Sequence, residues 1–439
     1  MLSKIKWGIH PNTHKTLTEA KPIVCGTLPN LVILPVQQHL GVPCVPIVKK
    51  EDQVKKGQLI ASSDAPVSSN VHASLSGKVV AISSKPHPYL GECLAITIES
   101  DGLDEWEEGV LTERDWQTLE PGELVELIKK AGIVGLGGAT FPTHIKLLPP
   151  KEAMLDTLIL NGAECEPFLT ADHRIMLEYS ERLVTGILIL KKILAVDQVI
   201  VGIEDNKMDA VQVLTKALSG TNVQVQAIPT KYPHGSEKML IQTVLKRQVP
   251  CGQLPLSVGV VVQNVGTAVA ICDAVQHGIP LIERVVTISG SAIVEPKNLR
   301  LRVGITFAEA IKQCGGLKFN PEKILSGGPF MGAAQYTTEV PVIKGINGIL
   351  ALSKKDLQQG ITTNCIRCGR CVSACPMGLN PTMLSTLAEK GLFAEAKEDY
   401  HLLDCMECGT CGYVCPAKRT MVHYIRYAKQ LSAAKGGKR

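Results

Sequence analysis

Two cysteine runs near the C-terminus carry the strongest chemical signal in the chain. Each run has the spacing Cys-x2-Cys-x2-Cys-x3-Cys, and each ends in Cys-Pro. Thiolates at two-residue spacing are soft ligands that suit iron–sulfur clusters or zinc. A zinc site normally needs two pairs of ligands, whereas four cysteines closing on proline form the bacterial ferredoxin pattern. The sequence therefore predicts two [4Fe-4S] clusters. The first run is Cys365, Cys368, Cys371 and Cys375, and the second run is Cys405, Cys408, Cys411 and Cys415.

The same pattern predicts how the eight thiolates divide between the clusters. In runs of this kind, the cysteine before proline binds the cluster of the other run. We therefore expect the last cysteine of each run to cross over. Cluster 1 is assigned to Cys365, Cys368, Cys371 and Cys415, and cluster 2 is assigned to Cys375, Cys405, Cys408 and Cys411.

Composition narrows the class of protein. The 439 residues favour about three domains, and 45% hydrophobic with 20% charged residues is typical of globular chains. A net charge of +5, with no basic stripe interleaved with aromatic residues, does not favour nucleic acid binding. The other seven cysteines are scattered singly, which favours a reducing compartment over a disulfide framework. We expect neither a signal peptide nor a transmembrane helix, because no sufficiently long apolar segment is present.

The elements that position the cysteines begin with residues 1–100. This part is rich in Pro, Gly, Val and Ile, and its short strands alternate with Gly and polar turns. Its order resembles the hammerhead of biotinyl and lipoyl carrier domains, which implies a barrel-sandwich. The hairpin equivalent to the carrier site, residues 62–70, contains no lysine. We therefore expect a docking module, not a swinging arm.

An acidic segment and a glycine-rich string follow. Residues 99–126 contain eleven acidic residues and one arginine, which is typical of a solvated linker and places a domain boundary here. The string Gly132-Ile-Val-Gly-Leu-Gly-Gly-Ala-Thr-Phe-Pro-Thr-His-Ile-Lys146 comes next. Glycines let a backbone approach a ligand and offer N–H groups to phosphate. A plain turn is the alternative interpretation of the glycines alone, and the added Phe-Pro-Thr and lysine make the string more specific.

Residues 120–280 alternate strand and helix patterns, which predicts a Rossmann-like parallel α/β domain. Strands are predicted at 157–161, 198–203, 223–228 and 258–262, with helices at about 171–195, 205–218, 236–247 and 266–277. Polar strings follow three of the strands: Asn161-Gly-Ala-Glu-Cys-Glu-Pro, Lys231-Tyr-Pro-His-Gly-Ser-Glu and Gln263-Asn-Val-Gly-Thr. Because ligands bind at the carboxyl ends of parallel strands, these loops predict a cofactor site.

Two further domains complete the multidomain α/β fold. Residues 281–350 show a ββαβ order that predicts a small β-grasp domain. Residues 355–430 hold both cysteine runs, separated by a helix with Asn380 as N-cap and Pro381 in its first turn. That separation favours a helical two-cluster ferredoxin module. From Pro416 onward the chain has seven Lys or Arg and no acid, which is either a solvated helix or a contact with an acidic partner or anionic lipid.

Taken together, these strings resemble the RnfC family of Rnf complexes, the ion-translocating ferredoxin–NAD oxidoreductases, over essentially the whole chain. The β-grasp part then corresponds to an SLBB-like domain. The central part is also similar to the NADH-binding flavoprotein of complex I, in which G-x-G-G-A-x-F-P-T-x-x-K and N-x-x-E-x-E-P frame FMN and NADH.

The resemblance implies roles for residues of the central domain. Gly135, Gly137, Gly138 and Lys146 would hold the phosphate and ribityl side of FMN. The flavin would be lined by Asn161, Glu164, Tyr232, Gly235, Asn264 and Thr267. Phe141, Glu166 and Glu237 would face NADH. Two positions depart from the complex I pattern: Leu147, Leu148 and Pro149 replace an aromatic residue after the lysine, and Ser236 replaces one of its paired glutamates.

The resemblance also implies a function. FMN can exchange a hydride with NAD(H) and single electrons with clusters, so it would lie between them. Expected partners are the integral-membrane and other subunits, NAD(H), and ferredoxin, either directly or through a neighbouring iron–sulfur subunit. The chain would then lie on the cytoplasmic face of the bacterial membrane. Two alternatives stay open: a soluble flavin-dependent cobalamin reductase with the same modules, and a non-catalytic adaptor whose clusters only connect partners.

Overall fold

A computed structural model gives the structure of the chain and describes residues 7–150, 152, 154–357 and 360–436. Residues 1–6 of the first expected domain and residues 358 and 359 of the fourth lie outside these ranges. Within the described ranges, no helix combines the length and apolar character that crossing a bilayer requires.

The strands are short runs rich in β-branched residues, as strand propensity favours. In chain order they are β1 (Ile23–Cys25), β2 (Leu31–Pro35), β3 (Val45–Pro46), β4 (Gln53–Val54), β5 (Leu59–Ser62), β6 (Val71–His72), β7 (Gly77–His87), β8 (Gly91–Ser100), β9 (Thr157–Gly162), β10 (Gln198–Glu204), β11 (Val223–Ile228), β12 (Val260–Asn264), β13 (Glu283–Ser289), β14 (Lys297–Arg302), β15 (Lys323–Ser326), β16 (Ala333–Ala334) and β17 (Gly348–Leu352).

Several helices begin at side chains that cap their free N–H groups. Asn380 does so before the helix between the cysteine runs, where its Oδ1 accepts the N–H of Met383 at 3.2 Å and Pro381 follows, as predicted. The helices are α1 (Pro121–Lys130), α2 (Thr143–Lys146), α3 (Ala171–Glu178), α4 (Ser180–Leu194), α5 (Met208–Ala217), α6 (Glu237–Leu245), α7 (Val265–His277), α8 (Phe307–Lys312), α9 (Arg370–Ala374), α10 (Pro381–Glu389), α11 (Phe393–Glu398), α12 (Thr410–Tyr413) and α13 (Met421–Gly436).

The predicted parallel sheet has the order β11-β10-β9-β12, with every neighbouring pair parallel. Its helices bury apolar faces on the sheet in one large core. Gly186 on α4 allows close packing on α7, because a Cβ there would lie 1.9 Å from the Ala268 carbonyl oxygen. The single helix predicted at 171–195 is two helices, since Tyr179 has non-helical dihedral angles. Strand β12 begins two residues later than predicted, after a turn that ends at Gly259 with φ 76°.

The β-grasp part forms a six-stranded sheet in the order β1-β14-β13-β17-β15-β16, and α8 follows β14 as the ββαβ pattern predicted. One strand of this sheet, β1, comes from the N-terminal hundred residues and pairs in parallel with β14. A three-residue strand carries no sequence signal of its own. Only its distant pairing partner defines it, so local patterns did not reveal it.

The N-terminal part contains the two small antiparallel sheets of the barrel-sandwich, β2-β8-β7-β4 and β3-β5-β6, around a common apolar core. Lys344 of the β-grasp part lies buried where three parts of the chain meet. Its Nζ donates to the carbonyl oxygens of Asn70 at 2.5 Å and Gly132 at 2.7 Å. The carbonyl of Gly132 opens the glycine-rich string, so the barrel and the β-grasp part both help to position that string.

Candidate functional site

The glycine-rich string is a closed turn held on the first turn of α7. The Gly135 N–H donates to the Phe141 carbonyl at 2.9 Å and closes the turn. The Leu136 N–H donates to Thr267 Oγ1 at 3.0 Å, which fixes the turn on the buried Thr267. At Gly138, with φ 107°, an added Cβ would meet nothing within 4 Å. The backbone there is therefore open, and a side chain would fill space that a ligand could use.

Asn161 and Asn264 lie side by side at the carboxyl edge of the parallel sheet, where they are register partners in β9 and β12. The Nδ2 of Asn161 donates to the Gly235 carbonyl at 2.8 Å, which draws in the loop after β11. The Oδ1 of Asn264 caps α7 by accepting the N–H groups of Gly266 at 2.8 Å and Thr267 at 3.3 Å. The structure thus brings all three predicted polar loops to one edge of the sheet.

Lys146, at the end of α2, reaches the same edge. Its Nζ donates to Glu237 Oε1 at 2.8 Å and to the Val262 carbonyl at 2.6 Å. Both side chains of the Lys146–Glu237 pair remain about one-third exposed. The cation expected to face a phosphate is therefore near the open glycine backbone, and it is paired with a residue expected to face NADH.

Glu164 acts as a helix cap. Its carboxylate accepts the N–H groups of Asp172 at 2.7 Å and His173 at 3.2 Å, the second and third residues of α3. Its backbone has φ 48°, a left-handed conformation. The side chain of Asp172 lies beside it and accepts the Asn264 amide at 2.7 Å. Burial, and then the nearby Glu164 carboxylate, raise the pKa of Asp172 to about 7.

Glu166 faces the β-grasp part. Its carboxylate accepts the N–H groups of Phe330 at 3.1 Å and Met331 at 2.9 Å, and Tyr232 Oη lies 3.4 Å away. Gly328 is needed here, because a Cβ on it would lie 2.3 Å from Glu166 Oε2. Burial raises the pKa of Glu166 to about 7. In this structure Glu166 therefore orients the Phe330 loop.

Tyr232 joins the central domain to the second cysteine run. Its side chain is 1% exposed, and its Oη donates to the Cys408 carbonyl at 2.7 Å. Its ring stacks on Phe330 with 4.4 Å between ring centres, and Phe330 lies 5.3 Å from the Tyr413 ring. The backbone of Tyr232 also pairs with Ile9. A packed aromatic contact thus connects the cofactor edge of the sheet with the loop that carries Cys408.

Four thiols surround one cavity in the C-terminal module, and they are the set assigned to cluster 2: Cys375, Cys405, Cys408 and Cys411. Burial raises the pKa of Cys405 to about 11, and burial also raises the pKa of Cys411. Buried thiols of this kind ionise only beside a positive partner such as iron. The chemistry of this donor set fits an iron–sulfur cluster.

The set assigned to cluster 1 is more open. Cys371 is buried beside Cys415 against Met421, whereas Cys365 is half-buried and Cys368 is exposed. The Arg367 N–H lies 3.4 Å from Cys365 Sγ, and the Glu407 N–H makes the same contact with Cys405 in the second run. The two loops therefore share one local geometry.

The spacing of the thiols argues against single zinc ions. Zinc–sulfur bonds of about 2.3 Å would hold thiolates less than about 5 Å apart. Across the described part of the chain, only Cys272, Asp273 and His277 bring three potential ligand atoms within 4.8 Å of one another. Those three groups are already engaged with neighbours, since Arg182 pairs with Asp273 and Glu113 pairs with His277. The two runs need a larger cofactor than one ion.

Some residues at the site had no clear sequence signal. Lys15 is 3% exposed and donates to the carbonyls of Glu164 at 2.9 Å and Glu166 at 3.0 Å. It is a single lysine in the N-terminal part, far from the site in sequence. Phe330 was visible only as part of a Gly-Gly-Pro-Phe-Met-Gly string, and Asp172 only as an acid after the Glu-x-Glu-Pro loop.

Four family models match the chain in order. They are the RnfC barrel sandwich hybrid domain at residues 3–103, the Nuo51 FMN-binding domain at 128–273, the SLBB domain at 285–334 and the 4Fe-4S dicluster domain at 360–416. These matches confirm the expected fold class. They also agree with the glycine cradle and the thiol cavity in calling for FMN and two [4Fe-4S] clusters.

Curated relatives extend over nearly the whole chain. The chain is 57% identical to the RnfC-type component of a proton-translocating ferredoxin:NAD(+) oxidoreductase complex from Clostridium ljungdahlii, covering 99% of this chain and 95% of that one. It is 43% identical to the equivalent component of the Na(+)-translocating complex from Acetobacterium woodii, covering 97% and 96%. A crystal structure of an NAD+-reducing [NiFe]-hydrogenase is 17% identical over 72% of this chain and 54% of that chain, with a TM-score of 0.48. Because the curated similarity is high and spans every domain, this chain belongs to the RnfC family of ion-translocating ferredoxin:NAD+ oxidoreductase (Rnf) complexes.

Proposed function

We propose that this chain passes electrons between reduced ferredoxin and NAD(H) as a peripheral subunit of a membrane-bound, ion-translocating complex. The relatives over nearly full length are named as subunits of such complexes. The observation that carries the proposal is the aromatic contact of Tyr232 with Phe330 and the Cys408 loop, which places a cluster cavity directly against the cofactor edge of the sheet.

We assign FMN to the carboxyl edge of the parallel sheet. When bound, FMN exchanges hydride with NAD(H) and single electrons with iron–sulfur clusters. The open backbone at Gly135, Gly137 and Gly138 accommodates the phosphate and ribityl side, with Lys146 as the counter-charge. Asn161, Glu164, Tyr232, Gly235, Asn264 and Thr267 line the flavin side. In this arrangement Glu164 and Asn264 act mainly by fixing α3 and α7, because their carboxylate and amide oxygens are engaged as helix caps.

For NAD(H), the proposed contacts are Phe141, Glu166 and Glu237. Glu237 is partly exposed beside Lys146, so its carboxylate is accessible to a ligand. Glu166 contributes by orienting the Phe330 loop through the two N–H groups it accepts. Phe141 is half-buried at the end of the glycine turn, where an aromatic face suits a nucleotide base.

We assign the cluster ligands as the cross-over pattern predicts. Cys375, Cys405, Cys408 and Cys411 hold the cluster nearer the flavin, which is supported by their common cavity and by the contact of Cys408 with Tyr232. Cys365, Cys368, Cys371 and Cys415 hold the cluster farther from it, which is supported by the packing of Cys371 and Cys415 on Met421.

The chain belongs to a complex of several subunits, so the other subunits are its partners. We propose that integral-membrane subunits hold it on the cytoplasmic face of the membrane, and that ferredoxin acts directly or through a neighbouring iron–sulfur subunit. The relatives differ in the ion they translocate, proton or Na+. Ion movement is therefore assigned to the membrane partners.

Cofactor analysis tests the proposal. Protein purified and reconstituted without oxygen should contain about eight irons and release about one FMN on acid precipitation. Substoichiometric NADH should bleach the flavin and cluster absorbance together. Eight irons without flavin, and no bleaching by NADH, would instead support the non-catalytic adaptor. Rapid reduction of a corrinoid by the NADH-reduced protein would support the cobalamin reductase.

A further inference from the structure

The two cysteine runs have matching spacing and very different surroundings. Residues 361–370 of the first run are all exposed except Cys365, which is half-buried. The corresponding residues of the second run are largely covered, in part by Phe330, which packs on Gly409. The first run therefore presents a surface, which we call the first-run face. It consists of Ile361, Ile366, Arg367, Cys368, Arg370 and Val372.

The first-run face is positively charged. Arg367 and Arg370 are exposed, and among the described residues neither guanidinium takes part in a salt bridge. No acidic residue occurs between positions 360 and 388 or from position 416 onward. At the position of Arg367 the second run has Glu407, whose carboxylate pairs with Arg426 at 3.0 Å and Lys429 at 2.6 Å. Charge is thus balanced at the second run and unbalanced at the first.

The first-run face is also apolar at its centre. Ile361 is 87% exposed, Ile366 is 65% exposed and Val372 is 41% exposed. Large aliphatic side chains grouped beside arginines are typical of protein interfaces, in which arginine is enriched and pairs with carboxylates in a bidentate manner. Anionic membranes are recognised by denser clusters of about four to eight cations, so this face fits a protein better than a lipid surface.

We propose that the first-run face is the docking surface for a small acidic iron–sulfur carrier protein. This inference rests on the proposed function, in which electrons reach the chain from such a carrier. One electron leaves the reduced iron–sulfur centre of the carrier, which is thereby oxidised, and enters through the exposed Cys368 side of cluster 1. No bond forms or breaks, and no proton moves. Arg367 and Arg370 bind carboxylates of the carrier and hold its centre against this side.

Binding measurements test the docking surface independently of turnover. The probe is an acidic bacterial ferredoxin with two [4Fe-4S] clusters, titrated anaerobically into reconstituted protein at low, intermediate and high salt. The wild-type Kd should rise steeply with salt, because exposed charges are screened. The double variant Arg367→Glu/Arg370→Glu should raise the Kd at least tenfold at low salt and flatten its salt dependence. The matched control Lys216→Glu, on the exposed face of α5, should change the Kd less than twofold.

Each other outcome overturns the inference. An unchanged Kd in the double variant would show that the face does not bind the carrier, and an equal loss in Lys216→Glu would show only a general charge effect. Loss of binding to vesicles containing phosphatidylglycerol, with carrier binding retained, would make the face a membrane contact. If the reversal lowers the iron content, Arg367→Gln/Arg370→Gln replaces it, with at least a threefold rise in Kd expected. Failure of the proposed function is seen separately, as missing FMN or missing NADH bleaching in the wild type.

Discussion

The first and second cysteine runs have the same spacing and nearly the same loop backbone, yet the fold uses them differently. Gly369 and Gly409 have φ of 71° and 76°, and the residues before the second cysteine, Arg367 and Glu407, have φ of 54° and 59°. The first loop is open to solvent, whereas the second is packed against Tyr232 and Phe330. Equal local chemistry therefore leads to two environments, one suited to an external partner and one to the internal cofactor.

The sharpest test of the comparison is the exchange of ligands between the runs. Cys375→Ser should lose the same cluster as Cys405→Ser, so both proteins should fall from about eight irons to about four and give one common EPR spectrum of the reduced state. Cys415→Ser should instead match Cys365→Ser. If Cys375→Ser gives the spectrum of Cys365→Ser, each run holds its own cluster and the cross-over is wrong.

A second prediction concerns the covered run. Tyr232→Ala should destabilise the protein by about 3–5 kcal/mol, because it removes a buried ring stacked on Phe330 and leaves the Cys408 carbonyl without its donor. Thermal unfolding followed by circular dichroism measures the effect. The control Tyr336→Ala removes a ring that is 69% exposed, so its effect should stay within about 0.5 kcal/mol. Similar losses in both variants would show that Tyr232 does not join the domains.

The pH dependence of stability should report Glu166, which orients the loop that covers the second run. Its pKa is about 7 in the folded chain and near 4.5 in the unfolded chain. Between these values the folded state binds more protons, so this contribution is fully present below pH 4.5 and is lost as the pH rises through about 7. The loss should amount to no more than about 3 kcal/mol. Glu166→Gln should therefore flatten the fall in melting temperature between pH 5 and pH 8; an unaltered slope would argue against Glu166 as its source.

The smallest expected effect concerns the charges that distinguish the runs. Glu407→Gln should cost about 1 kcal/mol or less, because its pairs with Arg426 and Lys429 are about one-quarter to one-third exposed and are screened by salt. The matched change in the first run, Arg367→Gln, should alter stability by less than about 0.5 kcal/mol. Melting temperatures at low and high salt measure both. A larger loss from Arg367→Gln would show that this arginine supports the fold.

Local patterns predicted most of the architecture. The alternation of strand and helix predicted the parallel sheet and its order of elements, and the polar strings after Asn161, Tyr232 and Gln263 meet at one edge, as expected for carboxyl ends of parallel strands. Contacts between distant segments were missed. Strand β1 joins the sheet of β14, Lys15 holds the loop of Glu164, and Glu166 turns to Phe330, since each of these depends on a partner more than 100 residues away.

The sequence by itself determined the chemistry of the cysteine runs, because ligand type and spacing are local properties of the chain. It also determined the glycine turn, whose backbone freedom depends only on missing side chains. Tertiary structure alone decided which run is covered and which is open. Covering the second run required Tyr232 and Phe330, which belong to two other domains, to pack together on the Cys408 loop. The first run has no such partner among the described residues, and its exposure is therefore a property of the assembled fold.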